Sequence, residues 1–122
     1  MATKALFNTV VNWFIRQRMD QIQNFMDHPI ETQKGILFSQ LFHAEDTEYG
    51  RLYGFNSISS YQDFKNKVPI VTYEDFEPYI EKARQGQKDI SWPGYIKHFA
   101  KSSGTTNAKS KFIPISAESL EY

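Results

Sequence analysis

Hydroxyl-bearing residues surround a glycine in one stretch of this sequence, KSSGTTNAKSKFIPIS, which covers residues 101–116. The hydroxyls and the glycine belong to Ser102, Ser103, Gly104, Thr105 and Thr106. Side-chain hydroxyls and backbone N–H groups are suitable donors to phosphate oxygens, and glycine allows a tight turn close to a ligand. The same composition is also typical of a solvent-exposed hairpin loop. The stretch alone therefore leaves two interpretations open, a phosphate-binding loop and a polar turn.

The charge distribution favours an anionic ligand at this stretch. No acidic residue lies between Asp89 and Glu118. The lysines in that interval are Lys97, Lys101, Lys109 and Lys111. The whole chain has 14 basic and 14 acidic residues, and a formal charge of zero argues against a general nucleic-acid-binding protein. The positive charge is instead local, and local charge is what attracts a small anion.

The sequence lacks the common phosphate-binding motifs and the residue spacing of a metal site. The stretch lacks the GK[ST] ending of the GxxxxGK[ST] loop, and the extended run KFIPI follows it instead of a helix. The glycine fingerprint of dinucleotide-binding folds is also missing. The chain has no cysteine, and His28, His43 and His98 lie far apart, so we predict no metal site and assign no catalytic residue. A bound phosphate would have to rest on a loop between two strands.

A long amphipathic helix is predicted from Thr3 to Asp27. Its apolar residues recur at steps of three or four and form one stripe: Phe7, Val11, Ile15, Met19, Ile22 and Met26. We expect this stripe to face a protein core. The alternative is a helix on a membrane surface, suggested by Trp13 beside two arginines, but the polar face is not strongly basic.

Shorter helices are predicted up to about residue 86. Three of them cover residues Pro29 to His43, Thr47 to Tyr53 and Ser60 to Lys65. After a short extended run at 68–71, Thr72 is a good N-cap with Asp75 at the third helical position. Because Pro78 lacks an N–H group, we expect a break there, followed by a helix from Pro78 to Gln85 that ends before Gly86.

A strand–loop–strand unit follows, with strands at about Tyr95 to Ala100 and Lys111 to Ile115. Ser116 is expected to cap a helix that begins at Ala117 and is cut by the end of the sequence. The predicted fold class is α/β, seen in this stretch as α+β: mostly helical, then a β-hairpin carrying the loop. Because the sequence ends while the helix at Ala117 is starting, residues 1–122 are expected to be a fragment of a larger protein. No membrane span or signal peptide is recognisable, so we expect a cytoplasmic protein.

Three segments of the chain resemble one enzyme family. The stretch 101–116 resembles the phosphate loop of adenylate-forming enzymes, in which a Ser-Gly-Thr core precedes a lysine. Its spacing from Ser102 through Lys111 to Pro114 is similar to that of the auxin-responsive Gretchen Hagen 3 family of acyl acid amido synthetases, in its bacterial branch. The segments TEYGRLYGF at 47–55 and VPIVTYEDFEPYIEKARQG at 68–86 resemble the same family. Asn107 and Ala108 depart from the pattern, since superfamily members often carry glycine there.

The resemblance implies an ATP-dependent acid–amino acid ligase, with residues 1–122 as the N-terminal portion of its adenylation domain. A carboxylate would attack the α-phosphate of ATP, giving an acyl-adenylate and pyrophosphate, and an amino acid amine would then attack the acyl carbon. The residues implied as donors to phosphate oxygens are Ser102, Ser103, Thr105 and Thr106. Gly104 would allow the turn and Lys111 would neutralise charge. Mg²⁺ would bridge phosphate oxygens, with its protein ligand beyond Tyr122.

The partners implied are a small carboxylic acid, an amino acid, and the remainder of the adenylation domain with a C-terminal domain. Without that remainder we expect these 122 residues to be inactive. Two alternatives remain at this point. An acyl-CoA ligase or acyl-protein synthetase would share the loop and differ in the acceptor, and a non-enzymatic helical interaction module would use the loop only as a hairpin turn.

Overall fold

The computed structural model describes residues 2–102 and 110–120, with side chains from Thr9 onward. The chain divides into two compact units, Met1–Leu37 and Phe38–Tyr122. Each unit is described by itself.

The first unit contains helix α1 (Ala2–Asp27) and the beginning of helix α2 (Pro29–Ala44). The predicted break at residues 27–29 is confirmed. His28 separates the two helices, and Pro29 takes the first position of α2, where its missing N–H group costs no hydrogen bond. No helix in the described ranges is both long enough and apolar enough to cross a membrane.

The apolar stripe of α1 does not face a core within the first unit. Its described members are exposed, from Val11 at 36% to Met26 at 69%, and Trp13 and Phe14 are exposed as well. Within the first unit, the prediction of a core-facing helix is therefore wrong. The physical reason is that a stripe of this length needs a facing apolar surface of similar length, and the first unit consists of α1 and part of one more helix.

The second unit carries the small core of the chain. It contains the end of α2, helix α3 (Glu48–Leu52), a 3-10 helix (Phe55–Ser57), helix α4 (Tyr61–Lys67) and helix α5 (Tyr73–Arg84). The buried residues are Leu41, Ala44, Thr47, Ile58, Ile80, Ala83 and Ile90. The helices lie close to their predicted positions because their boundaries are set by local signals.

Hydroxyl caps begin three of these helices, and the cap predicted at Thr72 is confirmed. The side chains of Thr47, Ser60 and Thr72 each accept a hydrogen bond from the backbone N–H three residues later. At α5 the bond is reciprocal, because the carboxylate of Asp75 also accepts from the backbone N–H of Thr72 at 3.0 Å. Such a capping box satisfies two donors that the first turn would otherwise leave unpaired.

The break predicted at Pro78 is wrong, because α5 runs without interruption from Tyr73 to Arg84. Pro78 removes only one hydrogen bond, from its own position to the carbonyl of Glu74. The capping box and the burial of Ile80 and Ala83 stabilise the helix despite this loss. The predicted end is confirmed. Gly86 has φ +82°, and its N–H and that of the following residue bond back into the last turn.

An aromatic cluster joins α3 to α5. The ring of Tyr49 lies 5.2 Å from Phe76, 5.1 Å from Tyr79 and 4.7 Å from Tyr53, measured between ring centres. Burial raises the pKa of Tyr49, and the neighbouring hydroxyl of Tyr53 adds to this shift. The cluster therefore packs α5 against α3.

Strands β1 (His98–Lys101) and β2 (Phe112–Ile115) form the predicted antiparallel hairpin, with His98 opposite Ile115 and Lys101 opposite Phe112. Ser116 accepts a hydrogen bond from the N–H of Ser119 at 3.2 Å, which confirms its capping role. The element it caps is a 3-10 helix (Glu118–Leu120) rather than an α-helix from Ala117. The predicted extended run at 68–71 forms no strand within the ranges the structure describes.

Candidate functional site

The hairpin brings the two ends of the hydroxyl-rich stretch together. The backbone N–H of Ser102 donates to the carbonyl of Lys111 at 2.9 Å, and the N–H of Lys111 donates to the Ser102 hydroxyl at 3.1 Å. We call this pair the neck of the loop. The predicted site residues Ser103, Gly104, Thr105 and Thr106 lie between its two sides and outside the described residues. The structure therefore describes only the two sides of the neck, Ser102 and Lys111, between which that segment lies in the sequence.

Ser102 has a structural task at the neck. Its side chain is half-buried, and its oxygen accepts the N–H of Lys111 from across the hairpin. The hydroxyl hydrogen is not used by that bond, so the predicted donation to a phosphate oxygen stays chemically possible. The assignment of Ser102 as a phosphate contact stays a prediction.

Lys111 stands on the other side of the neck, and its ammonium group has two neighbours on helix α5. It lies 3.1 Å from a carboxylate oxygen of Glu74 and 4.8 Å from the ring centre of Tyr73. The pKa of Glu74 is lowered, first by its own backbone N–H and then by Lys111. The two side chains are 45% and 68% exposed, and an ion pair so open to water is weak. An anion with several charges could therefore attract the ammonium group away.

Tyr73 contacts the hairpin directly, which the sequence did not reveal. Its hydroxyl accepts a hydrogen bond from the backbone N–H of Phe112 at 2.8 Å and donates to the carbonyl of the same residue at 3.3 Å. At the other end of α5, the guanidinium of Arg84 lies 3.9 Å from the centre of the Phe112 ring. Helix α5 therefore holds the first residue of β2 by its backbone and by its side chain.

The other candidate residues have structural explanations. His98 is exposed on β1. Glu48, the first residue of α3, pairs with Lys82 at 2.5 Å. Within residues 2–102 and 110–120, no group of three or more histidine or acidic residues could hold a metal ion.

Two of the three segments that resemble one family pack against each other, and the third is tied to them. The segment 47–55 contacts α5 through Tyr49, and α5 lies within the segment 68–86. Through Tyr73, α5 then contacts the hairpin that carries the segment 101–116. The three segments are therefore connected by contacts, from 47–55 to α5 and from α5 to the hairpin.

Comparison with known proteins decides the family. The GH3 family N-terminal domain matches residues 18–122 of this chain. The chain belongs to the GH3 family. This agrees with the resemblance found in the three segments, although nothing in the matches identifies a bacterial branch.

Several GH3 proteins with established names are similar to the chain. A jasmonoyl–L-amino acid synthetase of Nicotiana attenuata, JAR6, is 45% identical over 76 residues, which is 62% of this chain and 13% of that protein. An indole-3-acetic acid-amido synthetase of Arabidopsis thaliana, GH3.5, is 30% identical over 117 residues, or 95% of this chain and 19% of that protein. A second Arabidopsis enzyme of that name, GH3.17, is 36% identical over 91 residues, or 73% and 15%. The chain thus spans less than one fifth of the length of these relatives.

Proposed function

We propose that the complete protein is an ATP-dependent ligase that activates a carboxylic acid as its adenylate and transfers the acyl group to an amino acid amine. Membership of the GH3 family supports this, since its named relatives are amido synthetases for indole-3-acetic acid or jasmonate. The same names favour an amine as acceptor over the thiol of an acyl-CoA ligase. They also favour an enzyme over a non-enzymatic interaction module.

The proposed reaction has two steps. A carboxylate oxygen attacks the α-phosphorus of ATP, a new P–O bond forms, and the bond to the β-phosphate breaks with release of pyrophosphate. The amine then attacks the acyl carbon and forms the amide bond, while AMP leaves with the oxygen that came from the carboxylate and the nitrogen loses a proton. Both steps depend on holding charged groups in line, so positioning and charge stabilisation are the tasks of the protein.

The observation that carries the proposal for this chain is the closed neck between Ser102 and Lys111. It fixes the residues on either side of the segment 103–109, and the sequence of that segment contains a glycine, hydroxyls and backbone N–H groups. Such donors suit phosphate oxygens. In the proposal Ser103, Thr105 and Thr106 donate to the phosphates, and Gly104 lets the backbone approach them.

Lys111 would balance the negative charge of the triphosphate. In the structure its ammonium group is shared between Glu74 and the ring of Tyr73, both of which are close to the neck. Because that arrangement is open to solvent, the lysine can turn towards a phosphate group at small cost. Mg²⁺ bound with ATP would add positive charge, and the described residues offer no cluster of ligands for it.

Acid-dependent exchange of labelled pyrophosphate into ATP tests this proposal in the complete protein. The acids to screen are indole-3-acetate, jasmonate and benzoate, with no amino acid present. We expect exchange with at least one acid, and a loss of about hundredfold to thousandfold in Ser103→Ala and Lys111→Ala, as for other lost transition-state donors.

Lys88→Ala is the matched control, because it also removes a lysine charge, from a side chain that is 65% exposed and whose ion-pair partner is the neighbouring Asp89. It should leave exchange unchanged. If Ser103→Ala and Lys111→Ala both exchange as fast as Lys88→Ala, the loop does not bind the phosphates of ATP.

A further inference from the structure

The backbone of Phe112 faces away from the other strand of the hairpin. In an antiparallel pair, successive residues alternate between bonding towards the partner strand and away from it. Ser102 and Lys111 bond across the hairpin, so at the next residue, Phe112, the N–H and the carbonyl point to the outer edge of β2. Without another partner, these two groups would make no hydrogen bond, and β2 would be bonded only to β1.

Tyr73 supplies that partner with a single hydroxyl. Its oxygen accepts from the Phe112 N–H at 2.8 Å, and its hydrogen is donated to the Phe112 carbonyl at 3.3 Å. Two residues further on, Pro114 faces the same edge and has no N–H group to satisfy. Phe112 is therefore where this edge of β2 most needs an external partner, and it lies directly beside the neck.

Tyr73 is itself fixed in position. It is the first residue of α5, immediately after the Thr72 cap, and the capping box with Asp75 holds that turn. Its half-buried ring also lies 4.8 Å below the ammonium group of Lys111. The capped first turn of α5 is thus connected through the Tyr73 hydroxyl to β2, the strand that follows the loop in the sequence.

We propose that Tyr73 is a positioning residue for the ATP phosphate loop. Its hydroxyl fixes the C-terminal side of the loop at Phe112, and in the proposal it contacts none of the three substrates. This inference rests on the proposed function, since it assigns to Tyr73 a role in binding ATP. The proposal predicts that changing Tyr73 affects the binding of ATP and not the binding of the carboxylic acid.

Steady-state kinetics of Tyr73→Phe in the complete protein test the proposal. The variant keeps the ring below Lys111 and removes both hydrogen bonds to Phe112. We expect the KM for ATP to rise about five- to tenfold, in line with two modest hydrogen bonds. The KM for the acid and kcat should stay near their wild-type values. A purely structural role would instead reduce the folded fraction, and so lower kcat without raising the KM for ATP.

Tyr79→Phe is the matched control. It removes a phenol hydroxyl from the same helix, from a half-buried residue whose hydroxyl makes no hydrogen bond to the described part of the chain. It should leave the KM for ATP unchanged. An unchanged KM for ATP in Tyr73→Phe would overturn the positioning role, even where Ser103→Ala and Lys111→Ala impair exchange. If the wild-type protein shows no acid-dependent exchange, the proposed function fails instead, and if those two variants behave as wild type, the phosphate-loop assignment fails, so the failures can be told apart.

A second measurement needs no substitution. Hydrogen exchange of the wild-type protein without nucleotide should find the amide of Phe112 protected, since Tyr73 accepts its hydrogen. Free exchange of that amide would show that the hydroxyl does not hold β2, and would overturn the proposal independently of any variant.

Discussion

Gly50 occupies a position where any side chain would collide with the backbone. A Cβ atom built there would lie 2.0 Å from the carbonyl oxygen of Ala44. The buried hydroxyl of Thr47 fixes this approach, donating to Ala44 at 2.6 Å and accepting from the N–H of Gly50 at 3.0 Å. The segment TEYGRLYGF therefore has a structural explanation: its threonine caps α3 and its first glycine allows α3 to lie against the end of α2.

We expect Gly50→Ala to lower the free energy of unfolding by about 3 kcal/mol or more, because rigid backbone must move to admit one methyl group. The midpoint of urea unfolding measures this. Gly35→Ala is the control, since nothing lies within 4 Å of a Cβ at that helical glycine. It should be neutral or stabilise by up to about 1 kcal/mol. Equal midpoints for the two variants would contradict the close approach at Gly50.

At the scale of elements, α5 links the core of the second unit to the hairpin. Its first turn is stabilised by the reciprocal bonds between Thr72 and Asp75. The backbone N–H of Thr72, and then its hydroxyl, donate to the Asp75 carboxylate and lower the pKa of that group below its usual 3.8. The charge state of Asp75 therefore influences the helix end that carries Tyr73.

This arrangement predicts an acid dependence with a definite sign. Because the pKa of Asp75 is lower in the folded protein, its ionised form stabilises the fold above pH 3.8, and that contribution is lost as the pH falls through the folded pKa. Asp75→Asn keeps an acceptor oxygen but cannot titrate. Urea unfolding from neutral pH into acid should therefore show a steeper loss of stability in the wild type than in Asp75→Asn. Parallel curves would mean that the capping carboxylate contributes nothing.

Most elements of the fold could be predicted because their signals are local. The caps Thr47, Ser60 and Thr72, and the stop at Gly86, each depend on residues within one turn. The prediction at Pro78 was wrong because one lost hydrogen bond is outweighed by the packing of the surrounding helix, which no local rule contains. The contact of Tyr73 with Phe112 joins residues 39 apart in sequence, so it needed the structure.

At the scale of the whole molecule, the chain combines a small core with a large exposed apolar surface. The core lies in the second unit around α2, α3 and α5, whereas α1 leaves Trp13, Phe14 and the residues of its stripe exposed. Sequence periodicity predicted the stripe correctly, but it could not predict that the described stripe residues are exposed in the first unit. The spacing of the family-like segments was more informative for function, because it predicted the family that the comparisons established.

The central claim is that the complete protein transfers AMP, and not a phosphoryl group, to a carboxylic acid. An acid that supports pyrophosphate exchange can be labelled with ¹⁸O in its carboxylate and converted to the amide with ATP and an amino acid. If the carboxylate attacks the α-phosphorus, one labelled oxygen leaves with AMP. We therefore predict ¹⁸O in AMP and none in pyrophosphate by mass spectrometry. Labelled inorganic phosphate formed together with ADP would contradict the account.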